Sequence, residues 1–312
     1  MACVVCITLN PALDTLFHLD ELRFEKVNRP LQTHHYAAGK GINVATLLAA
    51  LGHDVIVTGF LGENNATEFE QKFKACGFDN RFVYVQGATR QNIKITENSG
   101  RMTDINTQGF VINDDNIETL FKRLNDVLAE ADMVVVAGSL PSGFGLDSLE
   151  KLLQTIKVAK VPLAVDTSGQ ALKTAILLSP DLIKPNTDEL SEAFGGVYDT
   201  AEAQRQLFAM LATQGVLVKN VVVSMGEKGA NWLHQKGMLH ATPPTVEMVS
   251  TVGAGDTMLA GMVHGLLSQE MPEQIFRRAT AMSAHTVSVV GVSLPDDDRL
   301  MTLMAKTAIV SL

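Results

Sequence analysis

Apolar runs of strand length recur along the chain, and few polar residues interrupt them. Strands that other elements cover on both faces have such continuous runs, whereas strands with one solvent-exposed face alternate apolar and polar residues. The runs predict strands at residues 4–9, 55–60, 133–137, 163–165, 182–183 and 221–224.

Segments with helical periodicity lie between these runs. Their apolar residues recur at spacings of three and four, which places them on one face of a helix. Helices are predicted at residues 41–51, 67–76, 114–130, 146–157, 188–194, 200–213 and 254–267. The alternation of strands and helices predicts an α/β fold in which helices flank a central sheet in three layers.

One region has a different pattern, in which apolar and polar residues alternate strictly. Ile93 and Ile95 alternate there with Asn92 and Lys94, and an Asn-Ser-Gly sequence follows. Such alternation is typical of an antiparallel hairpin with one uncovered face, and the Asn-Ser-Gly sequence is typical of its turn. We therefore predict a hairpin within residues 81–110.

A second segment, residues 17–36, is polar and has no clear period. We expect a small β-sheet lid over the strand ends of the main sheet, formed by about residues 15–36 and 81–110. A plain hairpin at the sheet edge is the simpler alternative. Exposed sheet edges favour pairing with a second copy, so a homodimer through the lid is expected. Residues 1–312 are interpreted as a single domain, with a closing helix within residues 295–312.

Composition narrows the class of protein. The chain has 312 residues, of which 46% are hydrophobic and 19% charged, as in ordinary soluble proteins with a sizeable core. Its net charge of −9 argues against nucleic acids and anionic membranes as partners. Cys3, Cys6 and Cys76 lack metal-ligand companions, so reduced thiols are predicted. No signal-peptide pattern and no apolar segment of transmembrane length occur, so a cytoplasmic location is expected.

The most informative segment is glycine-rich and precedes the predicted helix at residues 254–267. Gly253, Ala254 and Gly255 allow backbone N–H groups to crowd together at the helix start, where anions bind. Asp256 falls in the first turn, where a carboxylate is favoured and can act as a base. This arrangement suits phosphoryl transfer to a hydroxyl, although a simple strand-to-helix turn has the same pattern. A dinucleotide fingerprint is excluded because Met258 stands where its third glycine is required.

Polar residues also follow several of the predicted strands, where ligands bind in open α/β sheets. Asp14 and Ser139 each follow a strand, and each is a candidate ligand residue or a helix N-cap. A carboxylate such as Asp14 suits the hydroxyls of a polyol. Asn186 and Glu189 fit an oxygen-ligand site for Mg²⁺, but a capping box has the same spacing. Asp166 follows a further strand.

Further candidates lie in glycine-containing and basic segments. Residues 224–230 contain glycines that would let a nucleotide approach the backbone, and a hairpin turn is the alternative. Residues 39–43 open a helix with flexible N–H groups, the ammonium of Lys40 and the amide of Asn43. Arg90 is the preferred phosphate ligand, because a guanidinium matches phosphate oxygens with a rigid fork.

These motifs occur in the order and spacing of the ribokinase-like PfkB carbohydrate kinases, which the chain resembles over essentially its whole length. The matching segments are residues 8–14, 38–45, 89–90, 138–141, 184–186 and 251–257. The resemblance implies a Rossmann-like three-layer sheet with a β-sheet lid, ATP and Mg²⁺ as cofactors, and a sugar or sugar phosphate as acceptor. Lys40, Arg90 and Lys94 favour an acceptor that is already phosphorylated.

Within the family the chain most resembles members that phosphorylate fructose 1-phosphate at its 6-hydroxyl. Tagatose 6-phosphate and fructose 6-phosphate stay open as acceptors, and so does a sugar-phosphate or nucleotide sensor without turnover. The resemblance implies that Asp256 is the base and that the N–H groups of Gly253, Ala254 and Gly255 hold the migrating phosphoryl group.

The remaining roles are implied by the same resemblance. Sugar hydroxyls are assigned to Asp14, Gly39 and Asn43, and the sugar phosphate to Lys40, Arg90, Ser139 and Lys94. Mg²⁺ is assigned to Asn186 and Glu189. The nucleotide is assigned to Lys184, Ser224, Gly226, Glu227, Gly229, Ser250, Thr251, Gly253, Ala254 and Gly255.

Overall fold

The structure, a computed structural model, describes residues 1–312 and contains fifteen β-strands and ten α-helices. The strands are β1 (Cys3–Thr8), β2 (Ala12–Leu19), β3 (Gln32–Ala38), β4 (Asp54–Gly62), β5 (Asp79–Asn80), β6 (Val83–Val85), β7 (Gln91–Glu97), β8 (Met102–Asn106), β9 (Met133–Ala137), β10 (Leu163–Asp166), β11 (Leu182–Ile183), β12 (Asn220–Ser224), β13 (Ala230–His234), β14 (Gly237–Thr242) and β15 (Ala308–Ser311). The helices are α1 (Lys40–Ala50), α2 (Thr67–Cys76), α3 (Asp114–Leu128), α4 (Leu146–Val158), α5 (Gly169–Leu177), α6 (Thr187–Phe194), α7 (Ala201–Thr213), α8 (Ala254–Leu267), α9 (Pro272–Val287) and α10 (Asp297–Lys306).

The main sheet has 11 strands in the order β15-β14-β13-β12-β11-β10-β9-β1-β4-β5, and β6 also pairs with β4. From β12 to β5 all neighbours are parallel, and each predicted strand lies in this part. From β12 to β15 the neighbours are antiparallel. The sequence pattern did not predict β13, β14 or β15.

Both faces of the main sheet are covered, because successive side chains of its central strands point to opposite cores. Val4 and Cys6 of β1 belong to one core, together with residues of α1, α2, α8 and α9. Val5 and Ile7 belong to the other core, together with residues of α3 to α7. The predicted three-layer α/β fold is confirmed. No helix has both the length and the apolarity that spanning a membrane requires.

A second sheet has four strands in the order β3-β2-β7-β8. Strands β7 and β8 form the predicted hairpin. Strand β2 pairs in parallel with β7, and this register places Asp14 opposite Asn92. The small sheet begins at Ala12, earlier than predicted, while Val83–Val85 pairs with the main sheet instead.

Close packing fixes the start of α1 against the end of β1. A Cβ on Gly41 would lie 2.3 Å from Thr8 Oγ1, and one on Gly59 would lie 1.9 Å from Thr8 O. Only glycine permits these approaches. The residues at the start of α1 are therefore held beside the carboxyl end of the central strand.

Candidate active site

Helix α8 begins at the glycine-rich segment. Gly253 has φ of +83°, a left-handed conformation that glycine adopts without steric cost. The backbone N–H groups of Gly253, Gly255 and Asp256 have no acceptor within the protein, whereas the N–H of Ala254 lies 3.4 Å from Thr251 O. Free N–H groups at a helix N-terminus attract anions. The start of α8 is therefore suited to holding a phosphoryl group.

Asp256 is buried in the first turn of α8. Its Oδ2 accepts a hydrogen bond from Asn43 Nδ2 at 2.8 Å. Burial and the charge of Asp166 raise the pKa of Asp256, while Asn43, Lys40 and Lys184 act in the opposite direction, and the net pKa is about 6. A carboxylate with this pKa is ionised at neutral pH and is a competent base.

Two lysines near the start of α8 share one buried aspartate. Lys40 Nζ lies 3.2 Å from Asp166 Oδ1 and 3.7 Å from Glu189 Oε1. Lys184 Nζ lies 3.5 Å from Asp166 Oδ2. A Cβ on Gly255 would lie 3.0 Å from Lys184 Nζ, so the absence of a side chain there leaves room for this ammonium group. The cluster brings two positive charges to the predicted phosphoryl site.

The charge of Lys40 is stabilised by its surroundings. Burial by itself lowers the pKa of this ammonium group, but Asp166, Glu189 and Asp256 together raise it above its ordinary value. The sequence analysis noted Asp166 at the end of a strand without assigning it a role. Its pairing with two lysines from distant segments becomes visible only in the fold.

Asn186 and Glu189 form a capping box at the start of α6. Asn186 Oδ1 accepts from the N–H of Glu189 at 2.7 Å, and Glu189 Oε2 accepts from the N–H of Asn186 at 2.8 Å. This is the alternative that their spacing left open. No group of three or more His, Cys, Asp or Glu side chains is placed to hold a metal ion. Glu189 Oε1 stays outside the capping box and lies 3.7 Å from the ammonium nitrogen of Lys40.

A cavity of about 400 Å³ lies between the small sheet and the main sheet. Asp14 and Asn92 line it from the small sheet, and Arg90 lines it just before β7. The main-sheet side contributes Gly39, Lys40, Asn43 and Asp256. The cavity thus collects most of the residues that were predicted to bind the sugar phosphate.

The charge of Asp14 is influenced by several neighbours. Burial raises the pKa of Asp14, while a hydrogen bond from Asn92 and the charges of Lys94, Arg90 and Lys72 oppose this rise. A partly buried carboxylate surrounded by donors is well suited to accept hydrogen bonds from hydroxyl groups.

Ser139 and Lys94 do not line this cavity. Ser139 is exposed, and its Oγ accepts from Asn10 Nδ2 at 3.1 Å. The carbonyl oxygen of Asn10 in turn accepts from Arg90 Nη2 at 3.3 Å. Ser139 is therefore connected to the phosphate-binding candidate Arg90 through Asn10.

A larger cavity, of about 920 Å³, lies on the other side of the α8 start. Of the residues assigned to the nucleotide, it is lined by Ser224, Gly226, Glu227, Gly229, Thr251, Ala254 and Gly255. Lys184 lines the smaller cavity, and Ser250 lines neither. The remaining walls of the larger cavity were not predicted from the sequence, and they include Pro243, Pro244, Val246, Met248 and Val287.

The two glycines of the predicted nucleotide turn have different surroundings. Gly226 has φ of +61° and no atom near the position of a Cβ, so the backbone is open on that side. Gly229 has φ of +91°, and a Cβ there would lie 1.9 Å from Ala241 O. Gly229 is thus required by the packing of the β12–β13 connection, as expected if this segment is a hairpin turn. Gly226 leaves the backbone accessible from the cavity.

The two cavities meet at Asn186, Ser224, Thr251 and Gly255, which line both of them. Asp256 lines the smaller cavity next to this boundary. A hydroxyl group in the smaller cavity and a phosphate chain in the larger one would therefore face each other at the start of α8. This arrangement would bring an acceptor, a donor and a base together.

Comparison with known families decides the class of protein. Residues 5–299 match the family model described as pfkB family carbohydrate kinase. The chain belongs to the PfkB family. As a PfkB kinase it is an enzyme, and the family resemblance inferred from the motifs is confirmed.

Curated PfkB relatives cover nearly the whole chain. It is 40% identical to a 1-phosphofructokinase of Vibrio cholerae over 309 residues, 99% of this chain and 97% of that protein. It is also 40% identical to a 1-phosphofructokinase of Escherichia coli strain K12 over 303 residues, 97% and 96% of the respective chains.

Solved structures have the same PfkB fold. Phosphofructokinase-2 from Escherichia coli in complex with fructose-6-phosphate has a TM-score of 0.86 and 26% identity, covering 98% of this chain and 99% of that one. Its tetrameric inhibited form has a TM-score of 0.85 at 26% identity, with the same coverage. Arabidopsis thaliana ribokinase complexed with ribose and ATP, at 24% identity, has a TM-score of 0.76 and covers 97% and 98% of the two chains.

Proposed function

We propose that this PfkB kinase transfers the γ-phosphoryl group of ATP to the 6-hydroxyl of fructose 1-phosphate, which gives fructose 1,6-bisphosphate and ADP. The observation that carries the proposal is the meeting of the two cavities beside Asp256 at the start of α8. The relatives named 1-phosphofructokinase, at 40% identity over nearly full length, support this acceptor.

In the proposed reaction Asp256 accepts the proton of the 6-hydroxyl. The hydroxyl oxygen forms a bond to the γ-phosphorus while the bond from that phosphorus to the β–γ bridging oxygen breaks, and ADP leaves. Asn43 holds Asp256 in place through its hydrogen bond to Oδ2. Phosphoryl transfer depends mainly on positioning and on neutralising charge, so one base with surrounding positive groups suffices.

Positive groups at the start of α8 stabilise the phosphoryl group during transfer. The N–H groups of Gly253 and Gly255 lie at the helix start and have no acceptor within the protein. Lys40 and Lys184 add two ammonium groups nearby. Glu189, assisted by Asn186, would hold Mg²⁺ through water, because Glu189 Oε1 lies outside the capping box and 3.7 Å from Lys40 Nζ. When bound, Mg²⁺ would neutralise charge on the phosphates of the nucleotide.

The larger cavity is proposed as the ATP site. Its volume of about 920 Å³ and its apolar wall suit a nucleotide base and ribose, with the phosphates directed to the start of α8. The structural neighbour described as ribokinase complexed with ribose and ATP supports this nucleotide.

The free cysteines are consistent with a reducing compartment such as the cytoplasm.

Arg90 is proposed to bind the phosphate that the acceptor already carries. Arg90→Ala should raise KM for the sugar phosphate about 10-fold to 100-fold with a smaller effect on kcat, because hydrogen bonds to charged groups contribute about 1.5–3 kcal/mol. Steady-state kinetics with varied sugar phosphate measures this. Arg205→Ala is the matched control, since Arg205 lies on α7 and pairs only with Glu202 at 3.9 Å. An unchanged KM would assign the phosphate to another cation.

The small sheet is proposed to act as the lid and as the contact between two copies. Apolar side chains are exposed on and around it, among them Tyr36, Met102 and Ile105. Exclusion of water by the lid would prevent hydrolysis of the phosphoryl donor. The tetrameric form of a phosphofructokinase-2 supports self-association in relatives of this fold.

Ile105→Asp tests the proposed contact. A buried, unpaired carboxylate opposes association, so the dissociation constant of the dimer should rise at least about 10-fold. Sedimentation velocity over a concentration series measures this change. Met301→Asp is the control, because Met301 is also an exposed apolar residue but lies on α10. Equal effects of the two variants would reject the small sheet as the dimer contact.

A substrate panel tests the proposed function itself. ATP consumption with Mg²⁺ is measured on fructose 1-phosphate, fructose 6-phosphate, tagatose 6-phosphate and unphosphorylated fructose. The highest kcat/KM is expected with fructose 1-phosphate. Preference for another sugar phosphate would retain the mechanism and change the acceptor, whereas no sugar-dependent turnover by the folded protein would favour a sensor.

A further inference from the structure

Asn92 lies between the two charged groups of the smaller cavity that come from the small-sheet side. Its Nδ2 donates to Asp14 Oδ1 at 2.8 Å, and its Oδ1 accepts from Arg90 Nη1 at 3.3 Å. All three side chains line the cavity. No role was assigned to Asn92 by its motif, although it lies on the polar face of the alternating strand.

Asp14 and Arg90 form no direct ion pair, and both instead contact the amide of Asn92. Arg and Asp side chains form strong bidentate contacts, which use two N–H donors and both carboxylate oxygens. Such a contact would leave neither group free for a ligand. The amide of Asn92 provides one donor and one acceptor, so it satisfies one atom of Asp14 and one of Arg90 and separates the two charges.

The side-chain atoms of Arg90 and Asp14 that have no hydrogen-bond partner in the protein are available to a ligand. Arg90 Nε is buried and has no hydrogen-bond partner in the protein. Leaving a buried charged donor unpaired is costly, and a phosphate oxygen would satisfy it. The second carboxylate oxygen of Asp14 makes no hydrogen bond to the protein and is available to a hydroxyl group.

The backbone keeps the three side chains in this relation. Strands β2 and β7 pair in parallel with Asp14 opposite Asn92, and the N–H of Leu13 donates to Arg90 O at 2.8 Å. The spacing of Asp14 and Asn92 is therefore set by strand pairing, and the Leu13 hydrogen bond ties the backbone of Arg90 to the same strand β2.

We propose that Asn92 is a positioning residue for acceptor specificity, which keeps Asp14 available to the hydroxyls and Arg90 available to the phosphate of a phosphorylated sugar. This inference rests on the proposed function, because it requires a phosphorylated acceptor. Asn92 itself has no part in proton or phosphoryl transfer. Its effect is on which acceptors bind.

The test compares kcat and KM for fructose 1-phosphate and for unphosphorylated fructose. In Asn92→Ala the direct Asp14–Arg90 pair can form, so KM for fructose 1-phosphate should rise about 10-fold while kcat stays close to that of the unmodified protein. The preference for fructose 1-phosphate over fructose should fall, because Arg90 is no longer free for the phosphate. Gln91→Ala is the matched control, since the neighbouring Gln91 side chain makes no hydrogen bond.

A double variant separates positioning from a merely structural role. If Asn92 acts by keeping Arg90 free, the KM of Asn92→Ala combined with Arg90→Ala should be little higher than that of Arg90→Ala alone. Asn92→Ser, whose side chain is too short to contact both partners, replaces Asn92→Ala if the latter fails to fold. Additive effects, or an unchanged KM in Asn92→Ala, would overturn the inference while the proposed function stands. Absence of turnover with every sugar phosphate would overturn both.

Discussion

Asp256→Asn is expected to lower kcat by at least about 100-fold and to leave KM for the sugar phosphate nearly unchanged. The amide has nearly the shape of the carboxylate and retains an oxygen that accepts from Asn43, so the cavity keeps its form. It cannot take the proton of the acceptor hydroxyl. Steady-state kinetics on the folded variant measures both constants, and near-normal turnover would exclude Asp256 as the base.

The pH dependence of the unmodified enzyme follows from the same residue. Burial raises the pKa of Asp256 to about 6, so the carboxylate is ionised above this pH and protonated below it. Only the ionised form is a base, and kcat/KM should therefore fall as the pH is lowered through about 6. Sugar phosphates also titrate at about pH 6. The pH profile therefore needs a variant in which only the pKa of the enzyme's own group changes.

Asp166→Asn is expected to lower the free energy of unfolding by about 3 kcal/mol, because breaking a buried ion pair leaves an uncompensated charge. Lys184 is only 4% exposed and would lose its carboxylate partner. Lys40 is more exposed and retains Glu189, so most of the loss is expected to come from Lys184. Urea unfolding followed by circular dichroism measures the change.

Glu118→Gln is the control for this stability measurement. It removes a carboxylate from an ion pair with Lys122 whose side chains are largely exposed, and such pairs contribute little. Its urea midpoint should match that of the unmodified protein. A loss below about 1 kcal/mol in Asp166→Asn would show that Lys184 finds other compensation and that the cluster is not a main source of stability.

Asp166→Asn also supplies the variant that the pH profile requires. The charge of Asp166 contributes to the raised pKa of Asp256, so its removal should lower that pKa. The acid limb of kcat/KM should move to lower pH, while the titration of the sugar phosphate stays where it is. An unmoved limb would assign the titration to the substrate or to another group.

The parallel part of the main sheet was predictable because its strands are buried on both faces and their sequences are therefore continuously apolar. The antiparallel part was not, since polar residues occupy β13 and β14. Asn231 donates to Gln204 Oε1 at 2.9 Å, and its Oδ1 pairs with His240 Nδ1 at 2.8 Å. Gln204 lies on α7 and His240 on the paired strand β14, so the polar residues of β13 are satisfied by partners that the local pattern of β13 does not reveal.

Helix α9 was missed for a related reason. Its buried side includes many small residues, among them Ala279, Thr280, Ala281 and Ala284. Small residues permit close packing with α8, where a Cβ on Gly261 would lie 2.7 Å from Ala279 Cα. They give a weak hydrophobic period, which depends on large apolar side chains.

Candidate site residues could be proposed from the sequence where a single local motif combines backbone geometry with chemistry, as at Gly253 to Asp256. Residues that act through a partner from another segment could not. Asp166 pairs with Lys40 and Lys184, and Asn92 forms hydrogen bonds with Asp14 and Arg90. The sequence showed that Asp166 is a polar residue after a strand and that Asn92 is a polar residue within one. Only the fold shows which residues contact them.

The smaller cavity takes its walls from the small sheet and from helices packed on the main sheet, and this division has an evolutionary consequence. Asp14 and Asn92 belong to the small sheet, while Asn43 and Asp256 belong to helices packed on the main sheet. Substitutions in β2 and β7 can alter which sugar is accepted without disturbing the base or the phosphoryl site. A lineage with this architecture can therefore diversify its substrates while it inherits one unchanged chemistry.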